Sequence, residues 1–353
     1  MAVVVMRIAG GPDVGYGHLR RSWTLAEHLV QAGVQVQMVT ASSDGIEPLA
    51  ASGFPVSVEA QLHQIDQTLS VLRQARVPAV CVVDDPGMTP DRLSALRNVA
   101  PVVCLDDTGE RAMPVDLVVN GSAGAEELRY RGLSETAYLL GSRYILLRKE
   151  FAQDPIRAAI PAEVQRVLLL TGGGRTGDWP HELATLVAAT LPRAIVDVVV
   201  GPFSERPGYR EDHAGRVRWH RTPADLRALM LEADLAVSAG GQTLYELAAA
   251  AVPTIGVRLV ANQALNLRGL AAHGCLTDVG SPEETGFSTR LTAALGALSA
   301  SMDRRRKMGE RGRHLVDGLG ARRVAAYVEE RLLPAGPGGK PASCVTPLGT
   351  SAS

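Results

Sequence analysis

The sequence predicts an α/β protein made of two Rossmann-like domains that face each other across a cleft. The chain has 353 residues, which suggests two domains at about 150 residues each. Its composition, 46% hydrophobic and 21% charged, is that of a globular protein with enough apolar material for two cores. Short apolar runs alternate with amphipathic stretches in both halves, a pattern typical of parallel sheets covered by helices.

In the first half, apolar runs predict strands and helical spacing predicts the segments between them. Gly33 follows the first predicted helix and ends it. The second predicted helix is indicated by Leu62, Ile65, Leu69 and Leu72, which recur at helical spacing. The predicted strands are Val3–Ile8, Gln35–Thr40, Pro55–Val58, Ala79–Val83, Val102–Leu105 and Asp116–Val119. The predicted helices include Leu19–Gln31 and Leu62–Gln74.

The second half repeats this alternation. Its predicted strands are Val167–Leu170, Ile195–Val200, Val217–His220, Leu235–Ser238, Thr254–Val257 and Leu276–Val279. Its predicted helices are His181–Thr190, Pro223–Glu232, Thr243–Ala251, Asn262–His273, Arg304–Asp317 and Ala321–Leu333. Asp154-Pro155 and Ile160-Pro161 punctuate the chain between the halves. We therefore expect domains at 1–155 and 156–333, followed by a disordered tail at 334–353 that is rich in Pro, Gly and Ser.

Charge and cysteine content exclude several classes of protein. A formal net charge of −1 gives no electrostatic case for nucleic acid or an anionic membrane. No segment approaches the roughly 20 apolar residues of a membrane span, and the run 2–6 lacks the flanks of a signal peptide. The cysteines, at 81, 104, 275 and 344, are far apart and in no zinc-binding spacing. We expect a cytoplasmic protein with no metal site and no cofactor.

The first candidate site is the glycine-rich loop 10–18, which follows the first strand and opens the first helix. Its glycines, including Gly15 and Gly17, permit close approach of a ligand, and a helix N-terminus favours an anion. The loop matches neither the dinucleotide fingerprint nor the P-loop. His18 is a candidate general base, because histidine titrates near neutral pH, or else a hydrogen-bonded residue at the helix start. Arg21 lies one turn further on.

Two loops in the second half, 171–175 and 238–243, also follow strands and contain glycines. The loop 238–243 combines small residues with hydroxyls, and Glu246 lies one turn into the following helix. Glu246 is interpreted either as an acceptor for ribose hydroxyls or as an exposed helical glutamate. The predicted nucleotide contacts of these two loops are Gly172, Gly173, Gly174, Ser238, Gly240, Gly241, Gln242, Thr243 and Glu246.

Amides and paired carboxylates complete the candidates. Asn262, Gln263 and Asn266 supply three amides near the start of a helix, where amides can orient a sugar, a base or a water. The pairs Asp84-Asp85 and Asp106-Asp107 each follow a strand of the first half. Neither pair has a third metal ligand at a suggestive spacing, so helix capping and turn formation are favoured over catalysis for both.

Several of these stretches together resemble a known enzyme family. The blocks are Gly15-Tyr16-Gly17-His18-Leu19-Arg20-Arg21 with Thr24-Leu25-Ala26, Leu105-Asp106-Asp107, the run from Tyr138 to Phe151, Gly172-Gly173, Ser238 to Thr243 with Glu246, and Pro253 with Ala261-Asn262-Gln263. Their order and spacing are similar to those of the UDP-2,4-diacetamido-2,4,6-trideoxy-β-L-altropyranose hydrolases of the pseudaminic acid pathway, which are often grouped with spore-coat polysaccharide proteins.

The resemblance implies a GT-B architecture, in which the second domain holds most of the nucleotide. It implies hydrolysis of a nucleotide-sugar without a metal: water attacks the anomeric carbon, UDP leaves and the configuration inverts. His18 corresponds to the family histidine that activates this water. The sugar contacts that we expect from the matching blocks are Gly15, Gly17, Arg21, Asp107, Tyr144, Asn262 and Gln263.

One stretch departs from the family pattern. The family opens with Arg-x-Asp-x-Ser, where this chain has Arg7-Ile8-Ala9-Gly10-Gly11. Loss of two polar groups beside the expected sugar site bears on which sugar is bound more than on the reaction. The double glycine is also similar to the opening of the bacterial N-acetylglucosaminyl transferases. A glycosyltransferase, and a catalytically silent nucleotide-sugar binding protein, therefore stay open as alternatives.

Overall fold

Two parallel sheets, each covered by helices, form the framework of the protein. A computed structural model of the chain describes residues 2–9, 17–40, 53–59, 61, 64–155, 160–174, 177–201 and 215–333. Gly15 and the predicted tail 334–353 lie outside these ranges. The predicted fold class, two Rossmann-like halves, is confirmed by the two sheets.

The first sheet has seven strands in the order β3-β2-β1-β4-β5-β7-β9, and all its neighbours are parallel. β1 and β4 lie at its centre and are apolar runs buried on both faces, as parallel strands are. The strands of this half are β1 (Val3–Ile8), β2 (Gln35–Thr40), β3 (Val56–Val58), β4 (Ala79–Asp84), β5 (Val102–Leu105), β7 (Leu117–Asn120) and β9 (Ala137–Leu140), with a separate two-stranded pair of β6 (Ala112–Met113) and β8 (Arg131–Gly132).

The helices of the first half connect these strands. They are α1 (Gly17–Gln31), α2 (Asp66–Gln74) and α3 (Pro90–Arg97). The second predicted helix begins at Asp66, later than expected: Gln64 and Ile65 are not helical, and 62 and 63 lie outside the described residues. α1 buries Leu19, Leu25 and Leu29 against the sheet, which is the apolar face that its sequence predicts.

The second sheet has six parallel strands in the order β12-β11-β10-β13-β14-β15. They are β10 (Arg166–Leu170), β11 (Ile195–Val200), β12 (Val217–Arg221), β13 (Leu235–Ala239), β14 (Thr254–Val257) and β15 (Leu276–Asp278). The helices of this half are α4 (Trp179–Thr190), α5 (Leu226–Glu232), α6 (Thr243–Ala249), α7 (Ala264–Ala272), α8 (Phe287–Ser299), α9 (Met302–Leu315) and α10 (Gly320–Tyr327).

The last helix crosses back to the first sheet. Ala321, Val324 and Val328 are buried in the same apolar cluster as Leu25 and Leu29 of α1. This contact ties the end of the described chain to the first half. The predicted division at 155/156 stays a prediction. No helix of the described ranges combines the length and apolarity needed to cross a bilayer.

The two halves pack backbone against backbone at two glycines. A Cβ on Gly269 of α7 would lie 2.0 Å from the carbonyl oxygen of Ala123, in the loop after β7. A Cβ on Gly320 would lie 2.2 Å from the carbonyl oxygen of Ile145. Both positions need a residue without a side chain, because backbone packs against backbone there.

Gly269→Ala is expected to lower the free energy of unfolding by about 1–3 kcal/mol, although alanine is the better helix former. Gly296→Ala in α8 is the matched control, because a Cβ there meets nothing within 4 Å, and it is expected to raise stability by about 0.5–1 kcal/mol. Urea unfolding of both variants measures the difference. Equal stability of the two variants would contradict the contact with Ala123.

Candidate active site

A cavity of about 1070 Å³ lies between the carboxyl ends of the two sheets. This is where doubly wound sheets bind their ligands. The start of α1 and the loops after β10, β13 and β14 all contribute to its lining. The lining brings together these residues predicted from the sequence: Gly17, His18, Arg21, Asp107, Gly172, Gly173, Gly174, Gly240, Gly241, Gln242, Thr243, Glu246, Asn262 and Gln263.

Two other predicted site residues that the structure describes, Tyr144 and Ser238, are not part of that lining. Gly15 lies outside the described residues. Tyr144 packs against the apolar cluster of the first sheet. Ser238 is 1% exposed, and its Oγ donates to the carbonyl oxygen of Ala239 at 3.1 Å. The hydroxyl of Ser238 therefore serves the loop rather than the cavity.

His18 is held by a buried carboxylate. Its Nδ1 lies 2.6 Å from Oδ1 of Asp84, the last residue of β4. The pairing of β1 with β4 places Ile8 opposite Asp84, so the helix that follows β1 begins close to this carboxylate. His18 lines the cavity with 16% of its side chain exposed, whereas Asp84 is 1% exposed. The arrangement is a histidine at the cavity wall with an acceptor behind it.

Asp84 is also the centre of a hydrogen-bond cluster. Arg21 donates through Nε to Oδ2 at 2.8 Å and through Nη2 to Oδ1 at 2.6 Å, and Ser22 Oγ donates to Oδ2 at 2.9 Å. Burial opposes ionisation of Asp84, but the charges of Arg21 and His18 outweigh it and hold its pKa well below the usual range. An ionised carboxylate only accepts, so Nδ1 of His18 carries a proton, and in the neutral ring the lone pair is then on Nε2.

Arg21 joins this cluster to the cavity through Asp107. Its Nη1 donates to Oδ1 of Asp107 at 2.6 Å, and the Asp107 side chain is 40% exposed. Desolvation opposes ionisation of Asp107, yet Arg21 lowers the pKa of this carboxyl. Burial likewise disfavours the cation at Arg21, but the two carboxylates raise its pKa well above the ordinary value. The guanidinium therefore stays charged and fixes both acids.

In each Asp-Asp pair, one carboxylate stabilises a turn and the other accepts hydrogen bonds from Arg21. Asp85 accepts from the N–H of Gly87 at 2.9 Å, and Asp106 accepts from the N–H groups of Thr108 at 3.0 Å and Gly109 at 2.7 Å. These are the turn contacts that the sequence predicts. The favoured turn or cap interpretation is wrong for Asp84, because its carboxylate receives the side chains of His18 and Arg21 instead.

Glycines shape the opposite wall. Gly172 has φ +92°, a left-handed conformation that favours glycine. A Cβ on Gly240 would lie 2.7 Å from Cβ of Gln263, whereas Cβ atoms on Gly174 or Gly241 would meet nothing within 4 Å. Gly240 is needed for packing, and Gly174 and Gly241 leave backbone open to the cavity. α6 begins directly after this loop. The N–H groups of Leu244 and Tyr245 donate to the carbonyl oxygens of Gly241 and Gln242 at 3.1 and 3.0 Å, which leaves the N–H groups of Gly241, Gln242 and Thr243 as candidate donors.

Side chains of α6 and the residue before it reach the first half of the chain. Gln242 Nε2 donates to the carbonyl oxygen of Leu146 at 2.5 Å, and the Tyr245 hydroxyl accepts from the N–H of Ala123 at 2.8 Å. That hydroxyl also donates to Oδ1 of Asn266 at 2.7 Å. Asn266 is the third of the amides that the sequence predicts at the start of α7, whereas Tyr245 was not predicted, because a tyrosine on an apolar helix face carries no distinctive spacing.

Glu246 is not the exposed helical glutamate of the alternative interpretation. It is 4% exposed, lines the cavity, and its Oε1 accepts from Nε of Arg148 at 3.1 Å. Gln263 uses Oε1 to accept from the N–H of Leu259 at 2.8 Å, which leaves its amide nitrogen for other contacts. Asn262 is exposed at the rim. Within the described ranges, no group of three or more His, Cys, Asp or Glu side chains is placed to hold a metal ion.

Solved structures that are similar to the chain show the class of fold. MurG of Acinetobacter baumannii matches with a TM-score of 0.62 at 15% identity, covering 93% of this chain and 99% of that one. The calicheamicin glycosyltransferase CalG4 matches with a TM-score of 0.61 at 16% identity over 94% and 99% of the two chains. The protein has the GT-B fold of these glycosyltransferases.

The chain is a homologue of the spore coat polysaccharide biosynthesis protein SpsG of Bacillus subtilis. The two are 24% identical over 333 residues, which span 91% of this chain and 96% of SpsG. An uncharacterized protein of Methanocaldococcus jannaschii, MJ1062, is 21% identical over 262 residues, covering 70% of this chain and 53% of that protein. No protein-family model matches. The family resemblance inferred from the sequence motifs is confirmed by the match to SpsG.

Asp84→Asn is expected to lower the free energy of unfolding by about 3 kcal/mol near neutral pH, because Arg21 loses a buried counter-charge. The pKa of Asp84 is lower in the folded protein than its unfolded value of about 4. Its stabilisation is therefore complete above that value and declines as the pH falls through and below it. Urea unfolding at about pH 7, 4 and 3 should show a shallower acid dependence in the variant than in the native protein.

The exposed Asp91 of α3 supplies the control. Asp91→Asn is expected to change stability by at most about 0.5 kcal/mol and to keep the native acid dependence. An Asp84→Asn variant with the same acid slope as the native protein would contradict the ion-pair cluster.

Proposed function

We propose that the protein hydrolyses the glycosyl bond of a nucleotide-diphosphosugar of the UDP-amino-deoxysugar type, with inversion, to give UDP and the free sugar. The observation that carries this proposal is the position of His18. It stands on one wall of the cavity, is oriented by Asp84, and shares the cavity with the glycine loops of the other sheet.

In the proposed step, His18 acts as a general base. Nε2 removes a proton from water as the water oxygen bonds to the anomeric carbon from the face opposite the nucleotide. The bond between that carbon and the diphosphate oxygen breaks, and the electron pair leaves with UDP. The imidazolium that forms still donates from Nδ1 to Asp84, whose negative charge stabilises it. The proton balance is complete without a metal.

The departing diphosphate would be met by backbone dipoles. Gly172, Gly173 and Gly174 after β10 and Gly241, Gln242 and Thr243 after β13 line the cavity, and their N–H groups would be the donors, whereas the N–H of Gly240 is bonded to the carbonyl oxygen of Val257 at 3.1 Å. Donors that are fixed before the reaction stabilise a developing negative charge without reorganisation. Glu246 would accept from ribose hydroxyls, while Asp107, Asn262 and Gln263 would orient the sugar.

Glycosyl transfer is the alternative, because the similar structure CalG4 is a glycosyltransferase by its title. The same His18 would then deprotonate an acceptor hydroxyl in place of water. The homology to SpsG extends over nine tenths of both chains, and together with the Gly-x-Gly-His opening it supports hydrolysis. Hydrolysis and transfer would both use a nucleotide-sugar as the small-molecule ligand.

We place the reaction in the cytoplasm. Cys81, Cys104 and Cys275 are free, buried thiols. Burial raises the pKa of Cys81 and Cys104 to about 12 and that of Cys275 to about 11, so all three stay protonated and unreactive at neutral pH. They behave as small core residues, as expected of a protein from a reducing compartment.

Purified protein incubated with UDP-, dTDP- and GDP-sugars, first without and then with acceptors, tests the proposal. Free UDP and a reducing sugar without acceptor support hydrolysis, and the anomer seen first by proton NMR should be inverted. Activity should survive EDTA. Product only with an acceptor would establish transfer. Nucleotide binding without any product would leave a silent binding protein.

His18→Ala is expected to reduce kcat by about 100-fold or more, because a general base contributes on that order. KM should change little, since the phosphate and ribose contacts come from the other wall. His314→Ala is the matched control, because His314 is exposed on α9 and should keep the native rate. A His18→Ala variant as fast as the native protein would remove His18 from this role.

A further inference from the structure

The carboxylate of Glu246 is paired with an arginine from outside its own domain core. Arg148 follows the strands of the first sheet and lies in the segment that connects them to the second. Its Nε donates to Oε1 of Glu246 at 3.1 Å, and the side chains are 19% and 5% exposed. Burying a carboxylate is costly unless a cation and hydrogen bonds accompany it. Arg148 supplies both.

Arg148 is itself held in place from two sides. Nη1 lies 2.9 Å from Oε1 of Glu150, and the guanidinium stacks over the ring of Phe151 at 5.0 Å from its centroid. Phe151 and Leu147 are buried in an apolar cluster that also contains residues of α6. The orientation of the guanidinium is therefore fixed before any ligand binds. A lysine ammonium, which is not planar and rotates freely, would not be fixed in this way.

The same segment fixes the start of α6 at a second point. Leu146 accepts a hydrogen bond from Gln242, one helical turn before Glu246. The backbone at the start of α6 and the carboxylate of Glu246 are thus both attached to residues 146–148. Oε2 of Glu246 has no hydrogen bond to any residue that the structure describes, whereas Oε1 is taken by Arg148.

We propose that Arg148 is a positioning residue for ribose recognition: it holds Oε1 of Glu246 so that Oε2 faces the hydroxyls of a bound nucleoside diphosphate. This rests on the proposed role of Glu246. Arg148 does not line the cavity itself and acts through the glutamate. A hydrogen bond from a hydroxyl to a fixed carboxylate strengthens binding more than one to a carboxylate that must first be ordered.

Calorimetric titration with UDP and with 2′,3′-dideoxy-UDP tests the proposal. The native protein should bind UDP about 10-fold or more tightly than the dideoxy compound, because hydrogen bonds to a charged acceptor are worth about that much. Arg148→Met should reduce this ratio to about twofold or less. Arg148→Gln, which is polar and similar in length, should give the same loss and serves if the methionine variant does not fold.

A double-variant comparison separates positioning from general structural damage. Glu246→Gln should lose most of the UDP preference by itself. Adding Arg148→Met to it should change the ratio no further, because the arginine acts through the glutamate. Arg143→Met is the matched control: Arg143 is an exposed arginine in the same connecting region, and its loss should leave the ratio at the native value.

The outcomes separate this inference from the proposed function. A native preference for UDP that persists in Arg148→Met or Arg148→Gln overturns the positioning role and leaves the proposed function intact. Additive losses from Glu246→Gln and Arg148→Met also overturn it. Equal binding of the two diphosphates by the native protein removes the ribose role of Glu246 and, with it, this inference. A native protein that does not bind UDP contradicts the proposed function itself.

Discussion

The candidate site depends on one buried carboxylate. Asp84 accepts from His18, Arg21 and Ser22 at the end of a central strand. A buried charge of this kind is tolerated only where its lone pairs are filled and a cation stands beside it. The same contacts that stabilise the carboxylate determine which nitrogen of His18 carries the proton. Stability and chemistry at this wall are therefore not separable.

The opposite wall depends on how α6 is attached. Gln242, Tyr245 and Glu246 all contact residues of the first half or the connecting segment. Backbone donors that stabilise a leaving group must be fixed to within a fraction of an ångström. Attachment of α6 to residues on the other side of the cleft provides that constraint. The contact of Gly269 with Ala123 adds close backbone packing beside the same loop.

The sequence predicted the fold class and most strands, because parallel strands buried on both faces are continuous apolar runs. It missed α8, although Leu291, Leu295 and Leu298 recur at helical spacing and are buried. It also predicted a turn or capping role for Asp84. That error has a physical cause: His18 and Asp84 are 66 residues apart, and only the pairing of β1 with β4 brings them together. Spacing in the chain carries no signal for such a contact.

The pattern of charges at the cleft is compatible with the proposed ligand, whose diphosphate carries two negative charges. Each carboxylate of the site is matched by an arginine: Asp84 and Asp107 share Arg21, and Glu246 has Arg148. Because their charges are balanced locally, these acids repel a diphosphate less than unpaired acids would. They nevertheless keep oxygens that accept hydrogen bonds. In such a site, the carboxylates can accept hydrogen bonds from the hydroxyls of a sugar and a ribose, and neutral backbone N–H groups can bind the diphosphate.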